Sequence, residues 1–434
     1  MENITASADE VLVDSLSFKL PASGNYVTDR RSVTFHTEGS NAYSASNGTK
    51  VIRFRLAGEG WLDPSTFRKQ LRPIGRPHAF FRRLRLSVRG QIIEDIGNLN
   101  RVSELFHLPQ SPASRKNDMI EGFGHNIPIS QMNTTIKFQG ISDKQSVMFK
   151  PLCGLFHQTK YIPLRYCPIE IELELADTLD PIVTAGSPVL SDAGVASSTI
   201  FTTANTSQLW RLENCVVKTD LCTLDNALEN SYVSHLLSGK TINLVFNTFA
   251  SSLQTIVSSD TQVNVSRSLS KMKSMFTSLD KDFTGARLKW HNKSYNSFWS
   301  PMSGDNETNY TWNRNADDIQ RLQVQIGSKL FPEYPIKSHA EAFYSLRKAL
   351  GVQANNLHSI DIDGNEYRNN KFIVGIDTEK LLGLSFTGMN TRNNLMTVHL
   401  KTLGTDVYTA NRMHIALLSE QILEIGDVGV QVFD

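Results

Sequence analysis

Apolar and polar positions alternate one by one through residues 83–88, with Leu84, Leu86 and Val88 set against Arg83, Arg85 and Ser87. A period of two predicts a strand with one buried and one wet face. The pattern returns 238 residues later, from Arg83 to Arg321, where Leu322, Val324 and Ile326 take the same places. Each strand leads into a turn and a second apolar group, Ile92 with Ile93 and Leu330 with Phe331. A short helix then follows, capped at Asn100 in the first copy and at Ser338 in the second, where Ser338 and Glu341 have capping-box spacing. Aligned without a gap, the inward helix positions are Val102, Leu105 and Phe106 against Ala340, Phe343 and Tyr344.

Two more matches follow in the same order. Residues 149–175 predict two strands, the second alternating Ile169, Ile171, Leu173 and Leu175 with Glu170, Glu172 and Glu174, and residues 372–400 predict two more. Closing strands fall at 209–221 and 412–425. Three features in one order imply a tandem duplication. Further strands are predicted at 15–20, 32–36, 51–56 and 241–249. Asp225 caps a predicted helix through Ala227, Leu228, Tyr232 and Leu236 that ends at Gly239 and bridges the halves. Leu269, Met272, Met275 and Phe276 have helical spacing, so 266–279 is predicted as a helix. The chain therefore divides into 1–225, with an N-terminal arm, and 226–434. Long loops are expected at 108–132, 178–208 and 281–318, lengths that go with a function of their own.

Composition narrows the partners. Forty-four Lys and Arg balance 43 Asp and Glu, a net charge of +1, so no global field draws the chain to nucleic acid. The arginines around residues 68–89 alternate within their strand, which suits a solvated or subunit-facing sheet more than a nucleic-acid track. Cys153, Cys167, Cys215 and Cys222 have neither zinc nor disulfide-scaffold spacing and are expected to be reduced and buried. The first fifteen residues lack the basic and apolar regions of a signal peptide, and no run of eighteen apolar residues occurs.

Catalytic and metal-binding signals are missing. Ser238-Gly239-Lys240-Thr241 ends like a phosphate loop, but Ser234 stands where the first glycine belongs and helix precedes strand. Asp361, Asp363 and Asn365 imitate half a calcium loop, yet Glu366 and Phe372 occupy the turn-glycine and bidentate-acid positions, so Asp363-Gly364 is expected at a hairpin turn. Eleven histidines are scattered without metal-ligand spacing. No catalytic, cofactor-binding or metal-binding residue is assigned, and no cofactor is expected.

Two all-β halves of about eight short strands each, with a helical insertion apiece, fit two tandem β-sandwich jelly rolls. The block from Val33 to Phe67, the strand and helix of 83–106, the block from Gly154 to Leu175 and their second-half counterparts resemble the double jelly-roll major capsid proteins of the adenovirus-type lineage, notably those of Polinton-like viruses and virophages. The resemblance implies a non-enzymatic structural protein of a double-stranded DNA virion. Its homotrimers would be pseudo-hexameric capsomers that tile an icosahedral shell. It further implies contacts with neighbouring capsomers and with minor capsid and penton proteins, an N-terminal arm near an internal membrane or the genome, and outer loops facing the host surface. The competing expectation is a tandem jelly-roll glycan-binding protein or glycoside hydrolase, with Trp290, Trp299 and Trp312 as the cleft wall.

Overall fold

The computed structural model describes residues 27–44, 50–59, 61–63, 77–110, 147–177, 183–184, 200–201, 206–207, 211–280, 288–289, 298, 321–352, 360–362, 364, 367, 371–379, 388–401, 412–427 and 429–433. The strand expected at 15–20, most of the three long loops and the three loop tryptophans lie outside the described residues.

In the first half eight strands recur in a fixed plan: β1 (Val27–His36), β2 (Val51–Leu56), β3 (Trp61–Asp63), β4 (Phe81–Val88), β5 (Gln91–Gly97), β6 (Ile162–Pro163), β7 (Ile169–Leu175) and β8 (Val216–Leu224), with helix α1 (Leu99–His107) after β5. They form two four-stranded sheets, ordered β1-β8-β3-β6 and β2-β7-β4-β5. Helix α2 (Asn226–Leu237) follows.

The second half repeats the plan with β9 (Ile242–Thr255), β10 (Asp260–Val265), β11 (Met272–Asp280), β12 (Arg321–Ile326), β13 (Lys329–Ile336), α3 (His339–Ala349), β14 (Ile373–Asp377), β15 (Met396–Lys401) and β16 (Arg412–Ile425). Its sheets are ordered β9-β16-β11-β14 and β10-β15-β12-β13, and β17 (Val430–Phe433) adds to β16. Strand for strand, both halves place the first beside the eighth, then the third and sixth, and the second beside the seventh, then the fourth and fifth. Two jelly rolls in tandem result.

Alternation accounts for these strands where one face is wet. Leu84, Leu86 and Val88 are fully buried, as are Ile52 and Leu56 on β2, and Leu322, Val324 and Ile326 are buried on β12. Each such side chain contributes about 1.5–3 kcal/mol by leaving water. The wet face of the first roll carries a row of charges across four paired strands, Arg53, Glu172, Arg85 and Asp95. Arg53 Nε donates to Glu172 at 2.7 Å, Arg85 Nη1 reaches the same carboxylate at 3.2 Å, and Arg83 Nε donates to Asp95 at 2.6 Å. These strand arginines face carboxylates, which suits a solvated sheet.

The repeat is real but not gapless. In the β4–β5 hairpin a bulge separates Leu86↔Glu94 from Ser87↔Ile92 and adds one residue; in β12–β13 the bulge between Leu322↔Ile336 and Val324↔Phe331 adds three. Beyond the bulges the copies are therefore offset by 240 residues, as Ile96 and Ile336 show, both paired to the equivalent leucines Leu84 and Leu322. This slip corrects the helix. The buried residues of α3 are His339, Ala342 and Leu346, whereas Ala340 and Tyr344 are exposed and Phe343 is half-buried. The capping box of Ser338 and Glu341 forms as expected. Asn100, by contrast, is not the cap of α1: Asn98 is, in a left-handed conformation (φ 46°) that asparagine tolerates, and its carbonyl accepts the first helical bonds from Arg101 and Val102.

Other expectations are corrected too. Residues 272–280 are strand β11, not helix, because the strand lies between β16 and β14 and is buried on both faces, which erases the period of two. Residues 149–161 form tight turns instead of a first strand, and strand structure begins at Ile162. The closing strand of the first half runs from Val216 to Leu224, later than 209–221, after a short pairing of Leu212–Glu213 with Ala42–Tyr43. Gly364 and Tyr367 are helical, and Asp363, expected with Gly364 at a hairpin turn, lies outside the described residues. Asp225 caps α2 by accepting from Ala227 N at 3.1 Å. All four cysteines are free and buried.

Candidate functional site: the joint between the rolls

The sequence proposed no catalytic or ligand-binding residue, and among the described residues no group of three or more His, Cys, Asp or Glu could hold a metal ion. The densest buried chemistry lies instead where the two rolls meet. It is built from the β5 edge, α1 and the turn at 153–156 in the first roll, and from β9, β11 and β16 in the second.

Glu94 anchors one side. The β5 bulge turns its side chain inward, where it is 2 % exposed. Its carboxylate accepts from Gly154 N (2.8 Å) and Leu155 N (3.0 Å), and from Thr248 Oγ1 on β9 (2.7 Å). Burial raises the Glu94 pKa, and these three donors oppose the shift. Three residues further along both strands, Ser251 Oγ donates to Gly97 O at 2.6 Å. The equal step shows that β5 and β9 run side by side in one direction, so the rolls stand parallel. Gly154 makes the approach possible: a Cβ there would lie 1.7 Å from Asn247 O.

Helix α1 supplies the other side. Val102, Leu105 and Leu108 belong to the hydrophobic core built mainly by the second roll. Phe106 tilts against Phe249 at 4.9 Å and meets Phe276 edge-on at 5.0 Å. Beside it Arg101 Nε reaches Asp280 at 3.2 Å, and Asp280 also accepts from Arg412 Nε at 2.7 Å and pairs with His414 Nε2 at 2.8 Å. Burial alone would raise the Asp280 pKa, but the His414 hydrogen bond and the two guanidinium charges outweigh it and hold the carboxyl well below its usual range. Burial depresses the His414 pKa, and its contact with Asp280 offsets this only in part.

Such a joint fixes two β-sandwiches in one relative orientation. Sequence reading placed Val102, Leu105 and Phe106 inward but did not see that the surface they meet belongs to the other half. It also missed Glu94, Asp280 and His414, although an acid within an apolar strand stretch, as in Ile92-Ile93-Glu94, is a usable signal.

The architecture defines a class, the tandem double jelly roll. No protein-family model matches the sequence, and no curated protein is similar to it in sequence. Solved structures are similar in fold. VP54 of PBCV-1, fitted into a reconstruction of the virophage Sputnik, is 12% identical, with a TM-score of 0.57 over 96% of this chain and 99% of that one. The cryo-EM structure of the Sputnik virophage gives 10% identity and a TM-score of 0.56 over 100% of this chain and 94% of the other. A quasi-atomic model of the PBCV-1 capsid likewise gives 0.56 at 12% identity, covering 96% and 99%.

Proposed function

We propose that the protein is a viral major capsid protein, a structural building block that associates with itself to form the shell of a double-stranded DNA virion. The observation that carries this reading is the pairing of two rolls of one strand order, parallel and fixed by a buried joint, in a fold that spans whole chains from PBCV-1 and Sputnik. Three copies would set six near-equivalent rolls around an axis as a pseudo-hexagonal block, and such blocks would tile an icosahedral surface. The rolls are taken as 1–225 and 226–434. The division is supported by the membership of the four main sheets, with α2 as the bridge. Light scattering coupled to gel filtration tests the reading. The expected species is about 146 kDa, three times the chain mass of 48.6 kDa. A monomer at every concentration up to tens of micromolar would overturn it.

A further inference from the structure

The two sides of the joint carry different charge chemistry. On one side the Glu94 carboxylate meets three neutral donors, Gly154 N, Leu155 N and Thr248 Oγ1. On the other the Asp280 carboxylate meets Arg101 at 3.2 Å, Arg412 at 2.7 Å and His414 at 2.8 Å. With His414 neutral, two cations already face one anion. A proton on the ring would make it three, in a place where the side chains of Asp280, His414 and Arg101 are 8 %, 5 % and 10 % exposed.

The ring is poorly placed to carry that proton. Nε2 is engaged with Asp280, and Nδ1 has no hydrogen-bond partner among the described residues, so a second N–H would be buried without an acceptor. Opposite His414 in the β11–β16 ladder stands Ser278, whose buried hydroxyl makes no hydrogen bond to it, and on β9 the opposite residue is Leu253. The charges acting on the ring are those of Asp280 on β11, Arg412 on its own strand and Arg101 on α1, which also buries Glu104 and His107 in the turns that follow. Asp280 stays ionised in mild acid, because its neighbours hold its carboxyl below the usual range.

Connectivity decides which group gives way. Asp280 and Arg412 are paired in one sheet, as are Ser278 and His414, so these groups cannot part without breaking the ladder. Arg101 comes from the other roll, on a nine-residue helix joined to β5 through the left-handed Asn98. The Glu94 side responds in the opposite sense. Burial raises the Glu94 pKa, so the stability it contributes is full in acid and is lost only as the pH rises through the folded value.

We infer that the joint is an acid-operated hinge, in which a proton on His414 expels Arg101 and loosens α1 from the second roll while the Glu94 contact holds the rolls together. The inference rests on contacts within one chain and stands whether or not copies assemble. Once freed, His414 titrates near pH 6.5, so one proton multiplies the loosened population by at most about 30 between pH 7.5 and pH 5.

Hydrogen-exchange mass spectrometry of the full chain at the two pH values, with each rate divided by the intrinsic rate at that pH, tests the hinge. Protection of the α1 amides is expected to fall roughly 10- to 30-fold in acid, and that of β5 is expected to hold. His414→Gln, whose amide can still donate to Asp280 but takes no proton, should keep α1 equally protected at both values. Arg101→Met, which removes the expelled charge and keeps the length of the side chain, should shrink the acid response; if the glutamine variant fails to fold, this one decides. Wild-type α1 protection that ignores pH, an acid loss of full size in the variants, or a loss spread evenly over both rolls would overturn the inference.

Discussion

Gly154→Ala separates the joint from the two sandwiches. The added Cβ would lie 1.7 Å from Asn247 O, 2.7 Å from Asn247 C and 2.9 Å from Phe246 Cδ2, so two of its three nearest neighbours are backbone atoms of β9. Carbon–oxygen contacts settle at about 3.3 Å, so the strand must retreat by about 1.6 Å. That retreat carries Thr248 Oγ1, now 2.7 Å from Glu94, beyond hydrogen-bonding distance. Losing a bond to a charged acceptor costs about 1.5–3 kcal/mol, and overpacking adds about 1–3 kcal/mol. The expected total is on the order of 3–5 kcal/mol. At about 2–4 °C per kcal/mol for rolls of this size, differential scanning calorimetry should record a fall in Tm of roughly 6–20 °C. Gly90→Ala is the control: its Cβ meets nothing within 4 Å, and only its φ of +83° resists substitution. A Gly154→Ala protein melting within a degree of wild type would refute the close approach and the joint built on it.

Other expectations concern single groups. Asp280→Ala leaves the buried Arg101 and the half-buried Arg412 without this carboxylate and should cost about 3–5 kcal/mol in urea unfolding. The folded-state pKa of His414 is below its unfolded value, so the unfolded chain binds the proton first; the stability His414 contributes is full above about pH 6.5 and declines as pH falls below it. His414→Gln should therefore flatten the fall in Tm between pH 7 and pH 5, and an unchanged slope would place the acid sensitivity elsewhere. Leu86→Ala should cost about 2–5 kcal/mol, because the side chain is fully buried, and Arg85→Ala on the wet face far less; equal losses in chemical denaturation would contradict the register. Ser338→Ala should destabilise by about 1 kcal/mol through loss of the α3 cap.

The parts of the fold legible in sequence were those with one wet face. Leu84, Leu86 and Val88 announce β4 because arginine and serine separate them, and Ser338 with Glu341 announces α3 because capping is local chemistry. Strand β11 was read as a helix because nothing wet interrupts it: one face packs in its own sandwich, and the other bears Phe276 against Phe106 of the neighbouring roll. The gapless repeat failed for a related reason. A bulge breaks the period of two, and the stretch Pro332-Glu333-Tyr334-Pro335 in the second bulge mixes apolar and polar residues, so its two extra residues cannot be counted from the pattern. The joint itself was illegible because each contact spans distant segments; Glu94 and Thr248 are 154 positions apart.

Helix α2 has a consequence of another kind. Only Leu236 is fully buried on it, while Leu228 and Tyr232 pack half-buried against Trp61 and Leu224 of the first roll, and it keeps the second roll within reach of the first. The joint therefore forms at an effective concentration in the millimolar range, whatever the dilution of the protein. A tethered contact can tolerate a buried carboxylate and a glycine at van der Waals limit, since it never has to find its partner by diffusion. A contact between separate chains has no such help and falls apart on dilution. Dilution thus acts on contacts between chains, while each two-roll unit persists unchanged at any abundance.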